Sequence, residues 1–220
     1  MSEQAVKPER LRINEIFLSL QGEADRVGFP TVFVRLTGCP LRCQYCDTEY
    51  AFHSGDWFDL DAILSKVREL EARYVCVTGG EPLAQPNCLK LLERLCDLGF
   101  SVSLETSGAL DIAAVDPRVS RVIDVKTPAS NEASRNRLEN FAHLSQSDQL
   151  KFVICSRADY DWSKAFLLEH DLQERCRILF SPSYSQLSPT LLADWILADH
   201  LSVRFQIQLH KVLWGDVPGK

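Results

Sequence analysis

The sequence predicts an α/β protein, one domain built on a parallel sheet that forms either a partial barrel or a doubly wound sheet. Three observations predict it. Short apolar, β-branched runs alternate with amphipathic helical segments, the pattern of parallel strands joined by right-handed crossovers. The polar motifs fall at or near the C-terminal ends of those runs, the edge that carries the active site in such folds. The chain has 220 residues, fewer than the ~250 of a complete eight-fold barrel.

The elements follow in order. Residues 1–11 are charged and are expected to be a flexible N-terminus. The run Arg12–Leu18 is expected to pair at an edge. Strands are expected at Thr31–Leu36, Tyr74–Val77, Ser101–Leu104, Val119–Val125, Leu150–Ile154, Ile178–Phe180 and Val203–Ile207. Between them, Leu60, Ile63, Leu64, Val67 and Leu70 share one helical face, and Cys88, Leu91, Leu92, Leu95 and Cys96 share another. Leu191, Leu192, Trp195 and Ile196 mark a helix opened by Ser188 as cap and Pro189 in the first turn. Trp57, Trp162, Trp195 and Trp214 share no spacing and are expected in core or lid packing, and 214–220 forms a C-terminal tail.

Bulk properties narrow the function. A net charge of −6 argues against a general nucleic-acid binder. No apolar run reaches the ~18 residues of a membrane span, and the N-terminus has no secretory apolar core. A cytoplasmic protein is expected, so the eight cysteines are expected to be free rather than a disulfide framework. Cys76, Cys88, Cys96, Cys155 and Cys176 sit in apolar runs and are expected in the core.

Cys39, Cys43 and Cys46 are different, because they form a CxxxCxxC pattern in one polar loop. Thiolates that close together hold a soft metal centre. A [4Fe–4S] cubane with three protein ligands keeps one iron open to a small molecule. Zinc is the alternative, with His53 as a fourth ligand. Spacing alone leaves both open. Arg35 and Arg42 nearby suit a small anion. Gly79-Gly80 after a strand makes a turn or cradles a phosphate. Asp124 and the segment Ser181–Tyr184 lie at the same edge as this loop, and so do Glu105, Lys126 and His210, whose arrival there turn-making alone does not explain.

The cysteine pattern, with Tyr45 before the last cysteine, resembles the radical S-adenosylmethionine enzymes. Gly79-Gly80-Glu81-Pro82 is similar to that superfamily's second motif. More narrowly, Ile13–Glu23, Phe33–Cys39, Cys46-Asp47-Thr48, Thr78–Pro82 and Glu105–Gly108 resemble the 7-carboxy-7-deazaguanine synthase family, from about Ile13 to His210. The resemblance implies a shortened parallel β/α barrel of the radical S-adenosylmethionine type, usually a homodimer, with a pterin substrate and an external electron donor such as flavodoxin. It implies conversion of 6-carboxy-5,6,7,8-tetrahydropterin to 7-carboxy-7-deazaguanine with loss of ammonia, a step toward queuosine. It further implies that the hydrogen at C6 of the pterin would be taken by a radical made from the cofactor, with no protein residue assigned as catalytic.

Residue roles are carried over from the same resemblance. Cys39, Cys43 and Cys46 would ligate the [4Fe–4S] cluster, and S-adenosylmethionine would chelate the remaining iron. Thr48 would help bind Mg²⁺. Leu20, Gln21, Gly22, Arg35, Thr78, Glu105 and His210 would bind the pterin. Tyr45, Asp47, Gly80, Asp124, Val125, Lys126, Ser181, Pro182, Ser183 and Tyr184 would line the adenosylmethionine pocket. This chain has Asp124-Val125-Lys126 where many members have Ser-Pro-Lys. Two other readings stand beside this one: a radical activase that makes a glycyl radical on a partner protein, and a non-enzymatic zinc module.

Overall fold

A computed structural model describes residues 9–184, 186–215, 217 and 219. The expected flexible stretch 1–8 and the tail positions 216, 218 and 220 lie outside the described residues. One nine-stranded sheet runs in the order β3-β1-β2-β4-β5-β6-β7-β8-β9. Its strands are β1 (Arg10–Leu20), β2 (Pro30–Leu36), β3 (Asp56–Asp59), β4 (Tyr74–Gly79), β5 (Ser101–Thr106), β6 (Ser120–Val125), β7 (Gln149–Ile154), β8 (Arg177–Pro182) and β9 (Arg204–Phe205). From β2 through β9 each neighbouring pair in that order is parallel, whereas β1 runs antiparallel to both β2 and β3. The expected parallel sheet is present, with two corrections at its start. The first strand begins at Arg10, and Leu11 is wholly buried, so these two residues are not part of a flexible terminus. This strand is also internal, because β3 pairs outside it.

Strand alternation divides the side chains between two environments. Val32, Val34, Leu36, Val75, Val77, Val102, Leu104, Ile123, Val125, Leu150, Phe152, Ile154, Ile178 and Phe180 face outward into the main core. There they meet α1 (Leu60–Glu69), α2 (Cys88–Asp97), α3 (Arg157–Glu169) and α4 (Pro189–Ala198). α1 buries Leu60, Ile63, Leu64 and Val67, and α2 buries Cys88, Leu91, Leu92 and Leu95, the faces their periodicity specifies. Of the cysteines expected in the core, Cys96 is only partly buried and packs against it. Ser156 caps α3, its Oγ accepting from the Asp159 amide at 3.3 Å. Ser188 occupies the cap position of α4 without a side-chain bond, and Leu191 of that helix is exposed. Trp57 is also exposed, on edge strand β3, and is not core.

The strict alternation of strands and helices fails between β5 and β7. No α-helix fills those crossovers; loops and short 3₁₀ turns do. Asn140 replaces helical bonding there. Its Nδ2 donates to the Gly108 and Leu110 carbonyls, and its Oδ1 accepts from the Ile112 amide. The sheet is also open at one seam, since β3 and β9 do not pair with each other. The seam is bridged by the segment after β9, where the Leu209 amide donates to the Gly22 carbonyl at 3.0 Å. Gln206 Oε1 accepts there from the Ala24 amide at 2.9 Å. After the seam comes α5 (Leu209–Trp214).

Candidate active site

The inward faces of the strands enclose one cavity of about 640 Å³. Every residue that the family resemblance places at the site lines it except Val125; Arg42 and His53 do not line it. Val125 is a correction with a simple cause. Asp124 and Lys126 point inward, so alternation sends Val125 outward, where it is 2% exposed in the core.

The cysteine loop is built against the turn after β4. Gly38 has φ +97°, a conformation that favours glycine, and its amide donates to the Ala51 carbonyl at 2.9 Å. The Glu81 amide in turn donates to the Gly38 carbonyl at 2.8 Å. Gly80 lies so close that an added Cβ would strike the Gly38 carbonyl oxygen and the Cys39 Cβ. Glu81 is wholly buried. Its carboxylate accepts from the Leu83 amide, the Thr106 hydroxyl and the amide and hydroxyl of Ser107. One carboxylate thus ties the turn after β4 to the end of β5.

Arg42 does not serve the role expected of it. Its guanidinium donates to the Cys39 and Leu41 carbonyls at 2.8 and 2.6 Å and stacks over Phe52, so it braces the loop and does not line the cavity. The three thiols are free and half-buried. Burial pushes all three up, while Lys126 pulls Cys39 and Cys43 back toward the thiolate.

The donor set fits an iron–sulfur cluster better than zinc. Among the described residues, no three His, Cys, Asp or Glu side chains converge on one ion. The ring of His53 packs edge-on against Phe52 instead. A cubane asks for separate thiolates on separate irons rather than one focus.

Beside the cysteine loop the cavity carries charge. Lys151 Nζ lies 2.8 Å from Glu23 Oε2 and 3.7 Å from Asp124 Oδ2, and Lys126 Nζ lies 3.0 Å from the same Asp124 oxygen. Burial works against charge on both lysines, yet the neighbouring carboxylates outweigh it and raise both. Asn136 clasps Lys126 from outside, accepting from its amide and donating to its carbonyl, both at 2.8 Å. Asp124 Oδ1 and the Tyr45 hydroxyl, on residues that line this cavity, are buried with no hydrogen-bond partner among the described residues. Such atoms call for a ligand's donors and acceptors. Burial lowers the affinity of His210 for a proton, which favours the neutral ring beside Gly22. Glu105 accepts from Gln21 Nε2 at 3.4 Å and from the Thr78 hydroxyl at 3.2 Å. Thr48 donates to Asp47 Oδ1 at 2.9 Å, which leaves its oxygen lone pairs on the cavity rim.

Sequence reasoning missed Glu23 and Lys151 as lining residues, and Glu15 behind Arg35. Lys151 left a trace, a single cation inside the apolar run Leu150–Ile154.

Comparison with known proteins is consistent with this geometry. The pattern of the radical SAM superfamily matches residues 33–124. A protein of Chlorobaculum tepidum named 7-carboxy-7-deazaguanine synthase is 45% identical over 93% of this chain and 94% of its own. One of Koribacter versatilis with the same name is 41% identical over 93% and 97%. Among solved structures, QueE from Escherichia coli matches with a TM-score of 0.76 at 23% identity, covering 91% of this chain and 95% of that one. The adenosylmethionine-bound SuiB of Streptococcus suis shares the core fold at a TM-score of 0.55 and 13% identity, covering 78% of this chain and 45% of that one.

Proposed function

The chain belongs to the 7-carboxy-7-deazaguanine synthase family of radical S-adenosylmethionine enzymes, and we propose that it converts 6-carboxy-5,6,7,8-tetrahydropterin to 7-carboxy-7-deazaguanine with release of ammonia. The observation that carries this is the family likeness along nearly the whole chain, 45% identity over 93% of it. The cavity of about 640 Å³, lined by the thiol loop and by paired charges, has room for small molecules.

The family's cofactors are a [4Fe–4S] cluster and S-adenosylmethionine. When bound, they supply one-electron cleavage and hydrogen abstraction at the pterin. The protein's own part is to hold, orient and exclude water. Cys39, Cys43 and Cys46 hold the cluster. Gly80 keeps the wall behind Cys39 flat. Tyr45, Asp47, Asp124, Lys126 and Ser181–Tyr184 hold the cofactor, with the unpartnered Asp124 oxygen and Tyr45 hydroxyl satisfied by it. Leu20–Gly22, Arg35, Thr78, Glu105 and His210 hold the pterin. Arg35 takes its carboxylate, since a guanidinium fork matches two carboxylate oxygens. Thr48 offers an oxygen to Mg²⁺, a hard ion that prefers such ligands. A cytoplasmic homodimer fed by an external reductant such as flavodoxin completes the proposal. Among the described residues no helix is long and apolar enough to cross a membrane.

The test is anaerobic reconstitution with iron and sulfide, then reductant, S-adenosylmethionine, Mg²⁺ and the carboxypterin. Formation of 7-carboxy-7-deazaguanine is expected. A cluster that cleaves the cofactor without making this product would favour the activase reading. A protein that takes up no cluster would overturn both radical readings.

A further inference from the structure

We propose that Glu15 is a positioning residue that sets Arg35 as the reader of the substrate's carboxylate and so gives the site its preference for a charged over a neutral substituent. This rests on the reading above that Arg35 binds that carboxylate, and deepens it. Glu15 and Arg35 are cross-strand partners on β1 and β2. A register shift between Ile13 and Glu15 turns Glu15 to the inner face, while Ile13 stays in the outer core. Glu15 Oε1 accepts from Arg35 Nε at 2.7 Å and from the Tyr50 hydroxyl at 2.9 Å. The rings of Phe17 and Tyr50 lie 6.0 and 5.8 Å from the guanidinium carbon.

The inner nitrogen of the fork is therefore engaged and the group is bracketed by rings. The two terminal nitrogens remain for a ligand, and Arg35 lines the cavity. Two coplanar N–H groups at the end of a fixed fork match a carboxylate and not a neutral amide. Glu105 also acts on Arg35 electrostatically from across the cavity. Without Glu15 the fork is free to turn toward that internal anion and away from the ligand. Tyr50 stands in the turn Glu49–Phe52, directly after Thr48, so the same carboxylate also joins the arginine to the cysteine loop.

The test uses the reconstituted holoenzyme. It compares the Michaelis constant for the carboxypterin substrate with the inhibition constant for the corresponding neutral carboxamide. Glu15→Gln keeps the shape and removes the charge, so the Michaelis constant for the carboxylate should rise about tenfold, the cost of a charge-assisted hydrogen bond. The carboxamide constant and adenosylmethionine affinity should stay within about twofold, since neither needs that bond. Glu15→Asp should recover part of the preference. Arg35→Met serves as the reference. If Arg35→Met abolishes the preference and Glu15→Gln leaves it intact, the positioning role is overturned while the Arg35 reading stands. If Arg35→Met leaves the preference intact, the Arg35 reading falls and the positioning role with it. Equal weakening of carboxylate, carboxamide and adenosylmethionine in Glu15→Gln means a merely structural role and also overturns the proposal.

Discussion

Gly80 is the residue where backbone and chemistry meet most closely. Its missing side chain leaves the space that Gly38 and Cys39 occupy. Gly80→Ala is expected to push the cysteine loop outward and to cut cluster content to less than half, measured as iron and acid-labile sulfide per chain after reconstitution. Thr48→Val removes the rim oxygen and keeps the volume, so the Mg²⁺ dependence of turnover should weaken; a titration of rate against Mg²⁺ reads this. At this scale the sequence was most legible where residue types are rare. Three cysteines in one loop, Glu105 after an apolar strand and His210 near the last strand all signalled the cavity they line. Glu15 was not legible. Its face depends on the irregular register after Ile13, and no residue type announces a bulge. Val125 failed for the opposite reason. A motif was carried over whole, but strand alternation splits it between two environments.

Among the elements, β6 and β7 are joined at their starts by a buried ion pair. Asp148 is wholly buried and accepts from the amide, Nε and terminal nitrogen of Arg121, and from the amide and hydroxyl of Ser145. Removing one partner of such a pair leaves the other charge stranded, so Asp148→Ala should cost about 3 kcal/mol, read from the urea midpoint of the protein. Burial alone would raise the Asp148 carboxyl, but Arg121 and Ser145 overcome it and hold it below the usual carboxylate range. The stability it contributes is therefore full at neutral pH and is lost as the pH falls below about 4. Asp148→Asn should flatten that acid slope. The strands were readable from their apolar runs, yet several ended later than the runs did. β4 runs on through Thr78 and Gly79, β5 through Glu105 and Thr106, and β8 through Ser181 and Pro182. The polar residues that end the apolar pattern are still strand, because they face the cavity rather than solvent. The helix-free crossovers between β5 and β7 escaped for want of any periodic signal, since Asn140 supplies the order there.

For the whole molecule, the sheet and its helical coat form a main apolar core that does not include the cysteine loop. The fold therefore does not depend on the cluster, in contrast to small metal modules that unfold without their ion. Cys43→Ala should bind no intact cluster yet melt within about 3 °C of the wild-type apoprotein by circular dichroism, a shift under ~1 kcal/mol for a chain of this size. A collapse of the melting transition would instead show that the thiol loop itself carries part of the fold. The architecture was legible as alternating strands and helices, and its incompleteness from the short chain, but the way the seam is fastened was not. Whether a sheet of this kind closes depends on how the last strand meets the first, a long-range property with no local pattern. Here the join is made by a strap with a few single bonds, those from the Leu209 amide to Gly22 and from the Ala24 amide to Gln206 among them. A seam fastened in this way works like the spine-side clasp of a book. The covers are held by isolated bonds while every strand ladder stays whole, so this join is the weakest line in the wall.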